Sequence, residues 1–483
     1  MNSIRKTREL LLGKKLSCAE LTEAYLAAAH RENGALSAYT LITDGEARRA
    51  AAAVDARIAK GELLPPLAGI PFVLKDNIST AGIPTTCASR MLADYVPIYD
   101  ATVWRVLKEQ GAVMTGKGNM DEFAMGSTCE TSYFGGAKNP HDLTRVAGGS
   151  SGGVACAVAG GTAVYGVGSD TGGSIRQPAS FCGLVGLKPT YGAVSRNGLI
   201  AYASSFDQIG PITSCVEDAA TVFDALCGKD PADMTCRGAE PVSSRLSADV
   251  RGLRIGVARE FFENLPADIA SALERAMDFY KAAGAELREI EFPMLRWCLP
   301  VYYILACAEA SSNLGRYDGL RYGHRAERFE DLDDLICRTR SEGFGPEVRR
   351  RIILGTYVLS SGYYDAYYNK AQALRRTIRN RFREVFASCD VLLTPTVPVT
   401  ALRSGAGLSP VETYQTDICT VSVNIAGLPA VSVPCGFDGE GLPIGMQLIG
   451  DRFTEARLLS AALAFESGTG GEYVKDCGRG AAL

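Results

Sequence analysis

Two runs decide how this chain is read: Gly148-Gly149-Ser150-Ser151-Gly152-Gly153 and Gly168-Ser169-Asp170-Thr171-Gly172-Gly173-Ser174-Ile175-Arg176-Gln177-Pro178. Between Gly148 and Ser174, 10 of 27 residues are glycine, with Ser150, Ser151, Ser169 and Ser174 set among them. Glycine at this density is costly in backbone entropy and marks places where backbone approaches something closely or takes positive φ. A packed core segment with two glycine turns is one reading. A phosphate loop is excluded by residue type, because the first run lacks the Lys and hydroxyl of a Walker loop and Gly166-Val167-Gly168 is not followed by glycine at the required spacing. A third reading uses Ser174 as a nucleophile after a glycine pair whose N–H groups converge on a developing oxyanion.

A serine nucleophile needs a base. Histidine is scarce here, with only His30, His141 and His324, which also argues against a His-rich metal centre and a Ser–His–Asp triad. Lysine can serve if burial lowers its pKa from about 10.4 towards neutrality. Lys75, at the end of the apolar run Ile70-Pro71-Phe72-Val73-Leu74, is the lysine best placed to be buried. Taken alone, it reads as a surface lysine.

Outward from these runs, helical and strand patterns alternate. Ser17-Cys18-Ala19-Glu20 is a capping box ahead of an apolar helical stripe, and Glu46 to Lys60 is helical up to Gly61. Thr102–Gln110, Pro266–Ala283 and Glu455–Phe465 read as helices; Ala112–Thr115, Leu253–Val257, Val391–Leu393, Ala430–Val433 and Gly445–Ile449 read as strands. Such alternation predicts an α/β fold with a sheet covered by helices on both faces. The charged stretch Arg316–Lys370 reads as a helical cap over one edge of the sheet.

The chain has 483 residues, 47% apolar and 22% charged, with 50 basic against 54 acidic side chains, a net charge of −4. That is the balance of a globular protein and carries no footprint of overall nucleic-acid binding. Fifteen cysteines without a C-x-x-C pair read as reduced thiols in a cytosolic protein. Leu10-Leu11-Leu12 is too short for a signal peptide, and the most apolar window, Gly152–Gly168, reads as a buried segment rather than a membrane span.

The two glycine–serine runs, continuing through Cys182-Gly183-Leu184-Val185-Gly186-Leu187-Lys188-Pro189-Thr190-Tyr191-Gly192, resemble the signature of the amidase-signature family. Leu67–Asn77 is similar to the family's lysine segment, and Gly441–Gln447 to its C-terminal strand. The resemblance spans nearly the whole chain. It implies the amidase-signature fold, α/β with a large mixed, mostly parallel central sheet, as a single domain over 1–483, with a helical N-terminal segment (1–60) and a helical cap over the substrate pocket (300–380). It implies Ser174 as nucleophile, Ser150 as bridging serine after a cis peptide, and Lys75 as ultimate base. The N–H groups of Thr171, Gly172, Gly173 and Ser174 would form the oxyanion hole, supported by Ser151, Asp170 and Arg176.

Within the family, Arg316–Gly323, Ser341–Gly345, Arg349–Ile352 and Ser361–Tyr368 are similar to the subgroup that hydrolyses glutamine for tRNA-dependent amidotransferases, enzymes converting Glu-tRNA(Gln) or Asp-tRNA(Asn) to the amidated forms. That implies glutamine contacts at Tyr302, Arg351 (with Arg350 adjacent) and Asp417, the arginine for the α-carboxylate and the aspartate for the α-ammonium. It also implies partner B and C subunits, with tRNA held mainly by B. No metal or cofactor is expected on this chain; ATP and Mg2+ are expected on the partner. A free-standing amidase for small amides and a non-catalytic scaffold are the alternatives; the scaffold is disfavoured by the intact Lys75, Ser150 and Ser174, the free-standing amidase by a charged pair that a neutral-amide pocket has no use for.

Overall fold

The computed structural model describes residues 3–474 and 477–481. Its centre is an eleven-stranded sheet. In chain order the strands are β1 (Tyr39–Ile42), β2 (Pro71–Lys75), β3 (Val113–Gly118), β4 (Tyr165–Asp170), β5 (Val185–Lys188), β6 (Gln208–Thr213), β7 (Arg254–Ala258), β8 (Glu286–Ile290), β9 (Val391–Pro395), β10 (Ala430–Phe437) and β11 (Pro443–Gly450). Across the sheet they run β1-β3-β2-β4-β6-β5-β10-β11-β9-β7-β8.

The α/β alternation and the mixed sheet are as expected, but "mostly parallel" is corrected. Six of the ten pairings are antiparallel and four are parallel. The parallel pairings lie in two groups, β3-β2-β4 and β9-β7-β8, and an antiparallel block joins them. A buried apolar run looks the same in either direction, so alternation could not reveal the block.

Local chemistry explains the elements that position the site. The predicted helical N-terminal segment carries three helices, Ile4–Leu12, Cys18–Leu36 with Ser17 and Glu20 as its capping box, and Asp44–Ala59, but it is interrupted by the edge strand β1; Met1 and Asn2 lie outside the described residues. β2 is buried along its whole length and has parallel neighbours on both sides. Its side chains alternate: Phe72 and Leu74 enter one apolar cluster, and Val73 enters another together with Val154 to Ala159. Lys75 therefore shares the face of Val73, under the helix Gly152–Ala159 that begins just after Ser150 and Ser151. Phe72 stacks on Tyr165 of β4 at 5.1 Å, so the carboxyl ends of β2 and β4 lie side by side. In open α/β sheets that end is where ligands are bound.

In the predicted cap region the helices are Leu295–Asn313, Leu332–Gly343, Pro346–Leu359 and Lys370–Ser388. Residues 317–331 are turns and coil, because Gly319 and Gly323 both take positive φ there. Ten of the fifteen cysteines are buried. No helix among the described residues is long and apolar enough to cross a membrane.

Candidate active site

Lys75 and the two glycine–serine loops come together at the carboxyl end of β2. Lys75 Nζ donates to Ser150 Oγ at 2.7 Å and to the Ser169 carbonyl at 3.2 Å. The Gly149–Ser150 peptide is cis. Ser151 donates its N–H to the Ser174 carbonyl at 3.1 Å, which ties the two glycine–serine loops together. Its hydroxyl donates to the Ser169 carbonyl at 3.2 Å. Lys75 and Ser150 are fully buried, whereas Ser174 is 7% exposed. Ser174 is thus the member that a substrate can reach.

Burial lowers the Lys75 ammonium to about 7, against the opposing pull of Asp121 and Asp170. In its neutral form the amine offers a lone pair that can take the Ser150 proton. Lys117 and Lys188 are also fully buried, but their surroundings differ. Lys117 is spent on Asp76 at 3.3 Å, the Ile78 carbonyl and two threonine hydroxyls, and Lys188 donates to the Pro189 carbonyl.

The loop that carries Ser174 is held by an ion pair. Asp170 faces Arg176 through two contacts, 3.0 Å to Nε and 2.9 Å to Nη2, both residues being fully buried. Burial works against the Asp170 charge, yet Arg176 holds its carboxyl well below the usual carboxylate range. Asn424 Nδ2 donates to the same carboxylate at 2.9 Å. The Gly173 N–H also donates to it at 2.9 Å, which removes that amide from the expected oxyanion set and leaves Thr171, Gly172 and Ser174. Glycine is required at two positions here: a Cβ on Gly172 would sit 2.5 Å from the Tyr302 hydroxyl, and Gly173 has φ 135 with Thr420 Oγ1 2.5 Å from a Cβ.

Arg351 and Asp417, both buried, share Tyr303 as a neighbour. Arg351 is 3% exposed and turned inward, while Arg350 is on the surface against Glu347. Arg351 Nε donates to Glu347 at 2.8 Å and Nη1 to the Tyr202 hydroxyl at 2.7 Å. Its guanidinium lies over the rings of Tyr202, Tyr303 and Tyr414 at 5.2–5.4 Å. With Nε committed, a bidentate grip on a carboxylate is left to the two Nη groups. Asp417 accepts from Ser127 Oγ at 2.9 Å and from the Tyr303 hydroxyl at 3.0 Å. Burial pushes its carboxyl up to about 7 despite those two donors.

A sequence profile of the family described as Amidase matches residues 20–459. The chain belongs to the amidase-signature family. This amidase is 55% identical over 467 residues to the A component of the glutamyl-tRNA(Gln) amidotransferase of Moorella thermoacetica, covering 95% of each chain. The crystal structure of the corresponding A component from Thermotoga maritima superposes with TM-score 0.80 at 40% identity, covering 96% of this chain and 94% of that one. A bacterial aryl acylamidase of the amidase-signature enzymes superposes at 0.87 with 26% identity, covering 100% and 99%.

The structure gives the predicted residues of this amidase neighbours that the sequence did not single out. Ser127, Tyr202, Tyr303, Glu347 and Tyr414 frame the charged pair, and Tyr414 donates to Glu347 at 2.6 Å while its ring stacks on Tyr303 at 4.0 Å. Asp207 accepts from Thr171 Oγ1 at 2.6 Å, and Thr420 Oγ1 donates to the Gly172 carbonyl at 2.6 Å. Apart from Glu347, an i,i+4 partner of Arg351 on one helix, these partners stand tens to hundreds of positions apart in the chain, so no local pattern announces them.

Proposed function

We propose that this chain is the glutamine-hydrolysing subunit of a tRNA-dependent amidotransferase. Ser174 Oγ attacks the side-chain amide carbon, its proton passing to Ser150 as the Ser150 proton passes to neutral Lys75. The carbonyl oxygen becomes an oxyanion facing the N–H groups of Thr171, Gly172 and Ser174. Collapse of the tetrahedral adduct breaks the C–N bond, and the proton returns through Ser150 to the departing nitrogen, which leaves as ammonia. Water then cleaves the γ-glutamyl ester on Ser174 by the same relay and frees glutamate.

The observation that carries this reading is the buried pair Arg351 and Asp417 set over a Lys–Ser–Ser relay. Glutamine has a carboxylate and an ammonium at fixed separation, and Tyr302 sits between that pair and the nucleophile loop, against Gly172. A neutral aliphatic amide would leave both charges buried without their ligand partners. The name and near-complete coverage of the Moorella thermoacetica relative at 55% identity point the same way.

The reading places ammonia use on partner B and C subunits, with tRNA mainly on B and with ATP and Mg2+ there for activating Glu on tRNA(Gln), and Asp on tRNA(Asn) where the assembly serves it. It also places the protein in the cytoplasm, consistent with ten of its fifteen cysteines being buried. The test is ammonia release from glutamine by the purified chain with and without co-purified subunits. Release that rises when the subunits are present supports the reading, and hydrolysis of aliphatic amides in preference to glutamine overturns it.

A further inference from the structure

A second recess, lined by Arg237, Arg375, Arg376, Arg379, Arg452 and Tyr191, has a volume of about 450 Å³. Its walls are one face of the helix Lys370–Ser388, the turn at 425–427, the loop around 234–237 and the turn at 452–453. Five guanidinium groups thus converge in a chain whose net charge is −4. None of the five makes a salt bridge among the described residues. The nearest carboxylates lie at the rim without pairing directly with a guanidinium: Glu309 accepts from the Ser205 N–H at 2.8 Å, and Asp451 from the Arg452 backbone N–H at 2.8 Å.

Two of the arginines are fixed in place before any ligand arrives. Arg375 donates to Ser205 Oγ at 2.7 Å, to the Ser205 carbonyl at 2.9 Å and to the Ile425 carbonyl at 3.3 Å, with its guanidinium 4.3 Å from the Phe206 ring centroid. Arg452 donates to the Ala426 carbonyl at 2.8 Å. Burial, then the neighbouring Arg379, weakens the hold of Arg452 on its proton although Asp451 opposes the shift. Arg376 and Arg379 complete the helix face one turn apart.

We infer that this recess binds a small anion carrying two or three phosphate groups. Planar guanidinium forks suit phosphate oxygens, and several held in one concavity recognise a compact polyanion better than a single charge. The recessed shape favours a free phosphorylated small molecule over RNA, whose phosphates would need a basic track along the surface rather than one closed cluster. The site is separate from the reaction centre: Ile425 and Ala426 present their carbonyls to the arginines, while Asn424 of the same helix reaches the other way to Asp170.

The test is titration calorimetry on the intact protein with tripolyphosphate, ADP and a 20-nucleotide RNA as separate probes, repeated on the double variant Arg376→Ala/Arg379→Ala. The expected result is saturable binding of tripolyphosphate or ADP, weakened about tenfold or more in the variant and by added salt, with amide hydrolysis in the absence of anion unchanged. A thermal melt matching the parent excludes misfolding as the cause. Absence of saturable binding up to millimolar probe, equal binding by the variant, or RNA binding that tripolyphosphate does not displace would overturn the inference.

Discussion

Lys75 Nζ stands 2.7 Å from Ser150 Oγ with both side chains fully buried, whereas the equally buried Lys117 faces the carboxylate of Asp76 at 3.3 Å. The proposed role of Lys75 as base rests on that difference as well as on burial. Arg stays protonated at every accessible pH and cannot accept a proton. Lys75→Arg is therefore expected to lose nearly as much activity as Lys75→Ala, roughly three decades or more in kcat. Steady-state kinetics on both variants check this, and substantial rate in the Arg variant would mean that only the positive charge matters.

The pH dependence has a definite sign. Lys75 titrates near 7 and works neutral, so activity on a small neutral amide rises with pH through about 7 and falls about tenfold per unit below it. Asp417 also titrates near 7, and it binds an ammonium only when ionised, above that pH. For glutamine both requirements apply, so kcat/KM should fall more steeply below 7 than for the neutral amide. Parallel profiles for the two substrates would remove Asp417 from glutamine binding.

Glutamine discrimination should rest on the charged pair. Arg351→Ala and Asp417→Ala are each expected to lose about 2–5 kcal/mol of preference for glutamine over a simple aliphatic amide, because each strands a buried charge. Turnover of the aliphatic amide should persist. The comparison of kcat/KM on the two substrates decides it; equal losses on both would assign these residues to the fold.

The ion pair under the nucleophile loop makes a stability prediction. Arg176→Leu leaves Asp170 buried without its cation and should destabilise the protein by about 3–5 kcal/mol. Denaturant unfolding measures this. A cost below about 1 kcal/mol would show that Asn424 and the loop amides satisfy Asp170 alone.

Much of this site was legible in the sequence, for reasons that can be named. The apolar run before Lys75 predicted a buried strand, and period-two alternation puts Lys75 under the Ser150 helix. The glycine pairs announced close approach, and Gly172 and Gly173 are indeed closed off by Tyr302 and Thr420. Less legible were β4, β5 and β6, whose Gly166, Gly168, Gly186 and Gly210 dilute the β-branched pattern of a central strand. Gly173 entered the expected oxyanion hole through the family resemblance, whereas its N–H goes to Asp170, three residues before it. The frame around the charged pair, from Ser127 to Tyr414, exists only after folding. The arginine recess was equally silent, since its members come from three separate regions of an acidic chain.

The central claim is that Ser174, served by Ser150 and Lys75, releases ammonia from glutamine. Its most direct test is ammonia release from glutamine by Ser174→Ala beside the parent protein, each purified together with whatever subunits accompany it. A proton relay fails as a unit, so the expected loss is roughly four decades or more. A variant that keeps a tenth of the parent rate would contradict the account.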